Sequence, residues 1–237
     1  MLVEHIKEEL SQYIEPEKAE FLPRFFQSST NGYGAGDQFL GVRVPNQRKI
    51  AKKYYSQISL DELQTLLQSP VHEYCLTAII MLVHKYEKSK CEEERQQYVA
   101  FYLEHLDYVN NWDLVDISAD KILGHYLYQK DRQLLYDLAY SNDLWRQRIA
   151  IMSTFYFIKK RDFTDTLKIA EILLRHTHHL IHKAVGWMLR EVGKRDLQAE
   201  LEFLRQHYHE MPRTMLRYAI EKFEPDLRQR FLLGEEC

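Results

Sequence analysis

Apolar residues recur along this chain at three- and four-residue spacing, and almost nowhere at the two-residue spacing of a half-buried strand. Residues 2–13 and 17–27 read as two short amphipathic helices. Pro45 suits the first position of a helix that continues over 46–55. Ser59 and Glu62 spell a capping box for a helix through Gln68. Ser69-Pro70 opens a longer one, with Cys75, Ala78, Ile79, Leu82 and Val83 on its apolar face. Helices follow over 92–106, from Asn110 to about Gln129, and over 131–140, 144–160, 164–175, 180–194, 197–209, 213–223 and 225–233. Between the second and third helices, residues 28–44 hold Gly32, Gly34, Gly36 and Gly41, four of the eight glycines. This is a loop. Its alternating glycines are not a dinucleotide fingerprint, because no strand precedes them and no βαβ unit follows. It reads as a connection draped over another part of the molecule.

Short and long helices alternate, and the long ones align. Leu76-Thr77-Ala78-Ile79, Asp116-Ile117-Ser118-Ala119, Arg148-Ile149-Ala150-Ile151, Lys183-Ala184-Val185-Gly186 and Arg217-Tyr218-Ala219-Ile220 recur at intervals of roughly 35 residues. Small or apolar residues follow each leading position, as close packing of stacked helices needs. The expectation is an all-α protein: an α-solenoid of HEAT- or armadillo-like antiparallel helix pairs, curved, with a concave binding face. No break in composition divides it, so residues 1–237 are expected to form one domain. The leading positions are Leu76, Asp116, Arg148, Lys183 and Arg217. Three cations and one carboxylate suit a polyanion track. A pairing of Asp116 with Arg148 across adjacent repeats is the intramolecular reading of the same pattern.

The 237 residues are 45% hydrophobic and 28% charged, which is ordinary for a globular chain. A net charge of −3 does not advertise nucleic acid. Its distribution says more. The first 42 residues are acidic, with Glu4, Glu8, Glu9, Glu15, Glu17 and Glu20. Arg43, Arg48, Lys49, Lys52 and Lys53 follow with no acid until Asp61. Further basic sets are Arg146, Arg148, Lys159, Lys160 and Arg161, then Lys183, Arg190, Lys194, Arg195, Arg213 and Arg217. Such segregation can build a basic face on an acidic protein. Cys75, Cys91 and Cys237 share no metal-like or redox spacing and point to a reducing compartment. No basic segment leads into an apolar run at the start, and the apolar run at 78–83 is too short to span a bilayer. A cytoplasmic protein is expected.

Two stretches carry candidate chemistry. In Asn110-Asn111-Trp112-Asp113-Leu114-Val115-Asp116, either Asn can cap a helix, which sets Trp112 and Asp116 one turn apart on one face. Asp113 points elsewhere. An indole beside a carboxylate suits positive charge, bound or developing in a reaction. It equally suits a helix whose Trp packs in the core and whose Asp answers an Arg. On residues 181–194, Lys183, Trp187, Arg190 and Lys194 share one helix face, an aromatic bracketed by cations of the kind nucleic-acid surfaces use. His176, His178, His179 and His182 lack the Glu of a His-Glu-x-x-His zinc motif and read as helix-start and surface histidines.

At this point four stretches resemble the DNA alkylation repair family, the AlkD-like group of HEAT-repeat DNA glycosylases. They are Asn-Asn-Trp-Asp-Leu-Val-Asp at 110–116, Trp-Arg-Gln-Arg-Ile-Ala at 145–150, Ile-His-Lys-Ala-Val-Gly-Trp-Met-Leu-Arg-Glu-Val-Gly-Lys at 181–194, and Met-Pro-Arg-Thr-Met-Leu-Arg-Tyr-Ala-Ile-Glu at 211–221. Phe39-Leu40-Gly41-Val42-Arg43-Val44-Pro45 resembles the family's N-terminal signature. The resemblance implies hydrolysis of the N-glycosidic bond of 3- or 7-alkylated purines in double-stranded DNA, with no metal or cofactor and no base-specific pocket; a monomer is expected. It implies Asp116, Trp112 and Trp187 as the catalytic set. It implies Arg148 as the Arg of the intervening repeat, and the register and basic sets add Lys183, Arg190, Lys194, Arg217, Arg43 and Arg48 to Arg148 as expected DNA contacts. Two positions depart from the pattern of some members. Asn111 stands where they carry an aromatic, and Tyr156 where they carry a Lys. The rival reading is a catalytically weak or inactive paralogue that binds DNA structures or a protein.

Overall fold

The computed structural model describes residues 2–235, so Cys237 lies outside the described residues. The chain is all-α, as the periodicity predicts. No strand occurs among the described residues, and the one β-bridge joins Gln38 to Val71. Two compact units divide the chain between Ser118 and Ala119, inside a helix and without a linker.

The first unit holds α1 (Leu2–Ser11), α2 (Pro16–Phe25), α3 (Val44–Tyr54), α4 (Leu60–Leu67), α5 (His72–Glu87), α6 (Glu92–Glu104) and the start of α7 (Trp112–Ala119). Helix α5 is its centre, with α3, α4 and α6 packed on it. It is buried almost all round, from Cys75 through Val83, because neighbours cover several of its faces. The capping box at α4 forms as the sequence predicts, with the Ser59 side chain accepting from the Glu62 N–H and Glu62 reaching back to the Ser59 N–H. Ser69-Pro70 precedes α5 by a short bridge segment, with Val71 at its N-cap.

The second unit opens with a π-helical turn, Asp120–Gly124, that runs from α7 into α8 (His125–Leu127). Then come α9 (Gln133–Tyr140), α10 (Leu144–Ser153), α11 (Phe155–Lys159), α12 (Thr164–Ile172), α13 (His179–Gly193), α14 (Leu197–His207), α15 (Arg213–Ala219) and α16 (Pro225–Leu233). Helix α10 packs on α13 and α13 on α15, with α9, α12 and α14 packed beside them. This is the short–long alternation of a helical-repeat array. The expected helix over 144–160 breaks at Thr154. Ser153 Oγ donates to the Ile149 carbonyl and Thr154 Oγ1 to that of Ile151, both at 2.7 Å, and such back-bonding favours a bend.

Candidate functional site

In the first unit, Asn111 is fully buried and fixes the start of α7. Its Oδ1 accepts the Trp112 N–H at 2.9 Å, and its Nδ2 donates to Asp37 Oδ2 at 3.0 Å. Trp112 and Asp116 follow, both half-buried, one turn apart. The indole stacks on Phe26, with centroids 5.5 Å apart and planes at 15°, and meets Phe25 edge-on at 6.0 Å. Asp116 is itself engaged with its surroundings rather than an unpartnered carboxylate. A cleft of about 460 Å³ adjoins the indole, lined by Leu22, Phe25, Phe26 and Trp112 together with His72 and Asp113.

Asp113 points away from Asp116, toward α5. One carboxylate oxygen accepts the Leu114 N–H at 2.9 Å, and the other lies 2.8 Å from His72 Nε2. His72 Nδ1 is 3.4 Å from Asp37 Oδ2. The ring is 4% exposed and packs against both Phe26, at 4.7 Å, and Phe39, at 5.2 Å, which stack on each other at 5.2 Å. Burial disfavours the charged imidazole, but the Asp113 and Asp37 carboxylates outweigh it and push its pKa up to about 10. Next to it, Glu73 is 1% exposed. Its carboxylate accepts the N–H groups of Leu40, Gly41 and Val42 at 2.7–3.2 Å. Gly41 has φ +82, and a Cβ there would lie 2.2 Å from the Glu15 carbonyl oxygen, so only glycine fits. The glycine-rich loop is thus draped over α5 and the start of α7, as its composition suggests.

Arg43 and Arg48 are exposed in this unit. Arg43 forms a bidentate pair with Glu15, through Nε at 2.5 Å and Nη2 at 2.8 Å, and Lys53 pairs with Glu9 at 2.7 Å. The acidic first helices therefore answer part of the basic stretch that follows them in sequence.

In the second unit, Arg148 is 4% exposed and donates Nη1 to the Leu180 carbonyl at 2.6 Å. That places the guanidinium inside the unit rather than on an open surface, where a direct phosphate contact was expected. On α13, Ala184, Val185, Met188, Leu189 and Val192 are buried, while Lys183, Trp187 and Arg190 are half-buried and Lys194 is exposed. Trp187 sits 6.1 Å from the Phe155 ring. Arg190 pairs with Glu221, and Lys194 with Glu191 at 2.5 Å. Arg217 is exposed on α15. Tyr156 meets His125 and Tyr128 edge-on at 5.1 and 5.6 Å, so its ring belongs to an aromatic cluster. His178 caps α13 by accepting the Leu180 N–H, and His182 contacts the His176 carbonyl. Burial holds the pKa values of His176, His178 and His179 below the usual histidine value, as it does for rings packed at a helix start.

His72, Asp37 and Glu73 escape a reading of the sequence. The two residues that face His72 lie 35 and 41 positions away from it, and no local spacing announces such a contact. The only signal is a His-Glu pair at the first turn of a strongly apolar helix.

Two solved structures share the fold. One, described as a predicted DNA alkylation repair enzyme from Enterococcus faecalis, superposes with a TM-score of 0.68 at 17% identity, covering 90% of this chain and 97% of that one. The other, AlkD2 from Streptococcus mutans, gives 0.54 at 13% identity over 88% and 98%. No curated protein matches the sequence. Residues 6–223 match the family described as DNA alkylation repair enzyme, which spans both units and the Trp112 turn. The chain belongs to the DNA alkylation repair enzyme family.

Proposed function

We propose that this protein is a DNA glycosylase of alkylation repair, acting on cationic 3- or 7-alkylated purines in duplex DNA. The observation that carries the reading is the first turn of α7, where a half-exposed indole and a carboxylate stand one turn apart on a rigidly capped helix. Alkylation at N3 or N7 makes the purine cationic. When the C1′–N bond breaks, its electron pair goes to the base, which leaves neutral and needs no general acid. The deoxyribose carries the positive charge instead. Asp116 stabilises that charge and accepts the proton of the water that adds at C1′. The π face of Trp112 meets the same cationic sugar. In the second unit, Trp187 offers a further aromatic surface to DNA, and Lys183 and Arg217 meet phosphates. Arg190, Lys194 and Arg43 reach phosphate only by exchanging their carboxylate partners. These pairs are exposed on at least one side, so the exchange costs little. Arg148, being buried, serves by holding the Leu180 end of α13 in place.

Methylated duplex incubated with the protein and then treated with alkali should break at the excised sites. Asp116→Asn should lower the excision rate by about 100-fold or more while duplex binding survives. Release of 7-methylguanine at the wild-type rate by that variant would sink the mechanism. The engaged state of Asp116 favours one second reading, a non-catalytic member that binds DNA or a protein. Retention of duplex with no base release by the wild type would select it.

A further inference from the structure

The contacts around the start of α7 close into a ring. Asp37, in the glycine-rich loop, accepts from Asn111 Nδ2 and lies against His72 Nδ1. Asn111 caps the Trp112 N–H, Asp113 caps the Leu114 N–H, and Asp113 returns to His72 Nε2. Every member is at least partly withdrawn from water, and His72 and Asn111 are fully so. The two capping residues of one turn are therefore each tied to a distant segment, and a single imidazole joins those ties.

We propose that His72 is a positioning residue for the Trp112–Asp116 turn: held between Asp37 and Asp113, it fixes where that turn points. Three features support this. Both ring nitrogens face carboxylates from different elements, so the ring acts as a two-ended clamp. Phe26 packs on the imidazole at one side and on the Trp112 indole at another, so ring and indole share a packing partner. The charged chain neighbour of His72, Glu73, is turned to the Leu40–Val42 amides and leaves the clamp to the two aspartates. The imidazolium form is the one that can donate from both nitrogens, and it is the form the two carboxylates favour. His72 touches no reacting atom; it acts through the helix start, and its catalytic readout alone rests on the glycosylase reading above.

The test uses the full chain and His72→Gln, with Asp37→Asn and Asp113→Asn beside it. Amide hydrogen exchange at Trp112 and Leu114 should speed up by about 10-fold in His72→Gln, with the α4 and α5 amides unchanged. Single-turnover excision should fall by about 10-fold, with duplex affinity held within about 3-fold. Ring NMR should show wild-type His72 titrating near pH 10, and lower in either Asn variant. Unchanged exchange at Trp112 and Leu114, or a wild-type ring that titrates near 6.5, overturns the proposal. If the wild type releases no base, the glycosylase reading fails, and the exchange and titration results still decide the role of His72. Should His72→Gln fold poorly, the Asp113→Asn exchange pattern carries the same decision.

Discussion

At Glu200 a carboxyl group stands 1% exposed on α14, and its Oε1 meets no hydrogen-bond partner. Burial pushes its pKa up to about 9, with the Arg190 charge opposing. In the unfolded chain the same group ionises near 4.5. The folded protein thus keeps a proton that the unfolded chain releases, and stability falls as pH rises from about 4.5 toward 9. Glu200→Gln should stabilise the protein by a few kcal/mol at pH 8 and by little at pH 5, as read by urea unfolding at the two values. An equal effect at both would place the proton elsewhere. His72 has the same sign, because its pKa is also raised on folding. Its contribution is complete below about 6.5 and fades as pH passes through about 10. The placement of Trp112, Asp116 and Trp187 on half-buried helix faces was legible because each sits in a short motif with helical spacing. Glu200 and His72 were not, because nothing in a local pattern distinguishes a buried Glu or His from a solvated one.

Helix α13 shows what the repeat register was reporting. Gly186 ends its Lys-Ala-Val-Gly segment, and a Cβ there would lie 2.4 Å from the Met215 carbonyl and 2.6 Å from the Tyr218 Cβ. The small residue is the condition for α13 and α15 to touch. Gly186→Ala should push α15 outward and cost about 1–3 kcal/mol in chemical denaturation, in spite of the higher helix propensity of Ala. A more stable variant would show that the contact relaxes freely. Most helices could be read from apolar spacing and caps, as at Ser59 and Glu62. Interruptions could not. The break at Thr154 depends on two hydroxyls choosing backbone carbonyls, and the π-turn at Asp120–Gly124 has no compositional mark.

Over the whole molecule, the sequence segregates charge, and folding undoes part of that segregation. Arg43 meets Glu15, Lys53 meets Glu9, Arg190 meets Glu221, and Lys194 and Arg195 meet Glu191. Of the expected DNA contacts, Arg48, Lys183 and Arg217 form no ion pair among the described residues. Duplex binding should accordingly show a shallow salt dependence, with a slope of log K against log salt of about −3. A slope beyond about −6 would mean that the internal pairs open on DNA. The all-α content and the alternation of short and long helices were plain from periodicity. The division at Ser118 was not, because it falls inside a helix rather than at a linker.

The side chain of Asn111 accepts at one end and donates at the other, and both ends are occupied. That makes it a question of time as well as of energy. Hydrolysis of its amide, the common chemical ageing of asparagine, would set a second carboxylate 3.0 Å from Asp37 and turn an attraction into a repulsion. Complete burial and the capping hydrogen bond that the Trp112 N–H donates to the side-chain oxygen hold the amide away from that reaction. Neighbouring Asn110, exposed and outside the helix, has no such shelter. The durability of the Trp112 turn is thus written into which of two adjacent asparagines the fold chose to enclose.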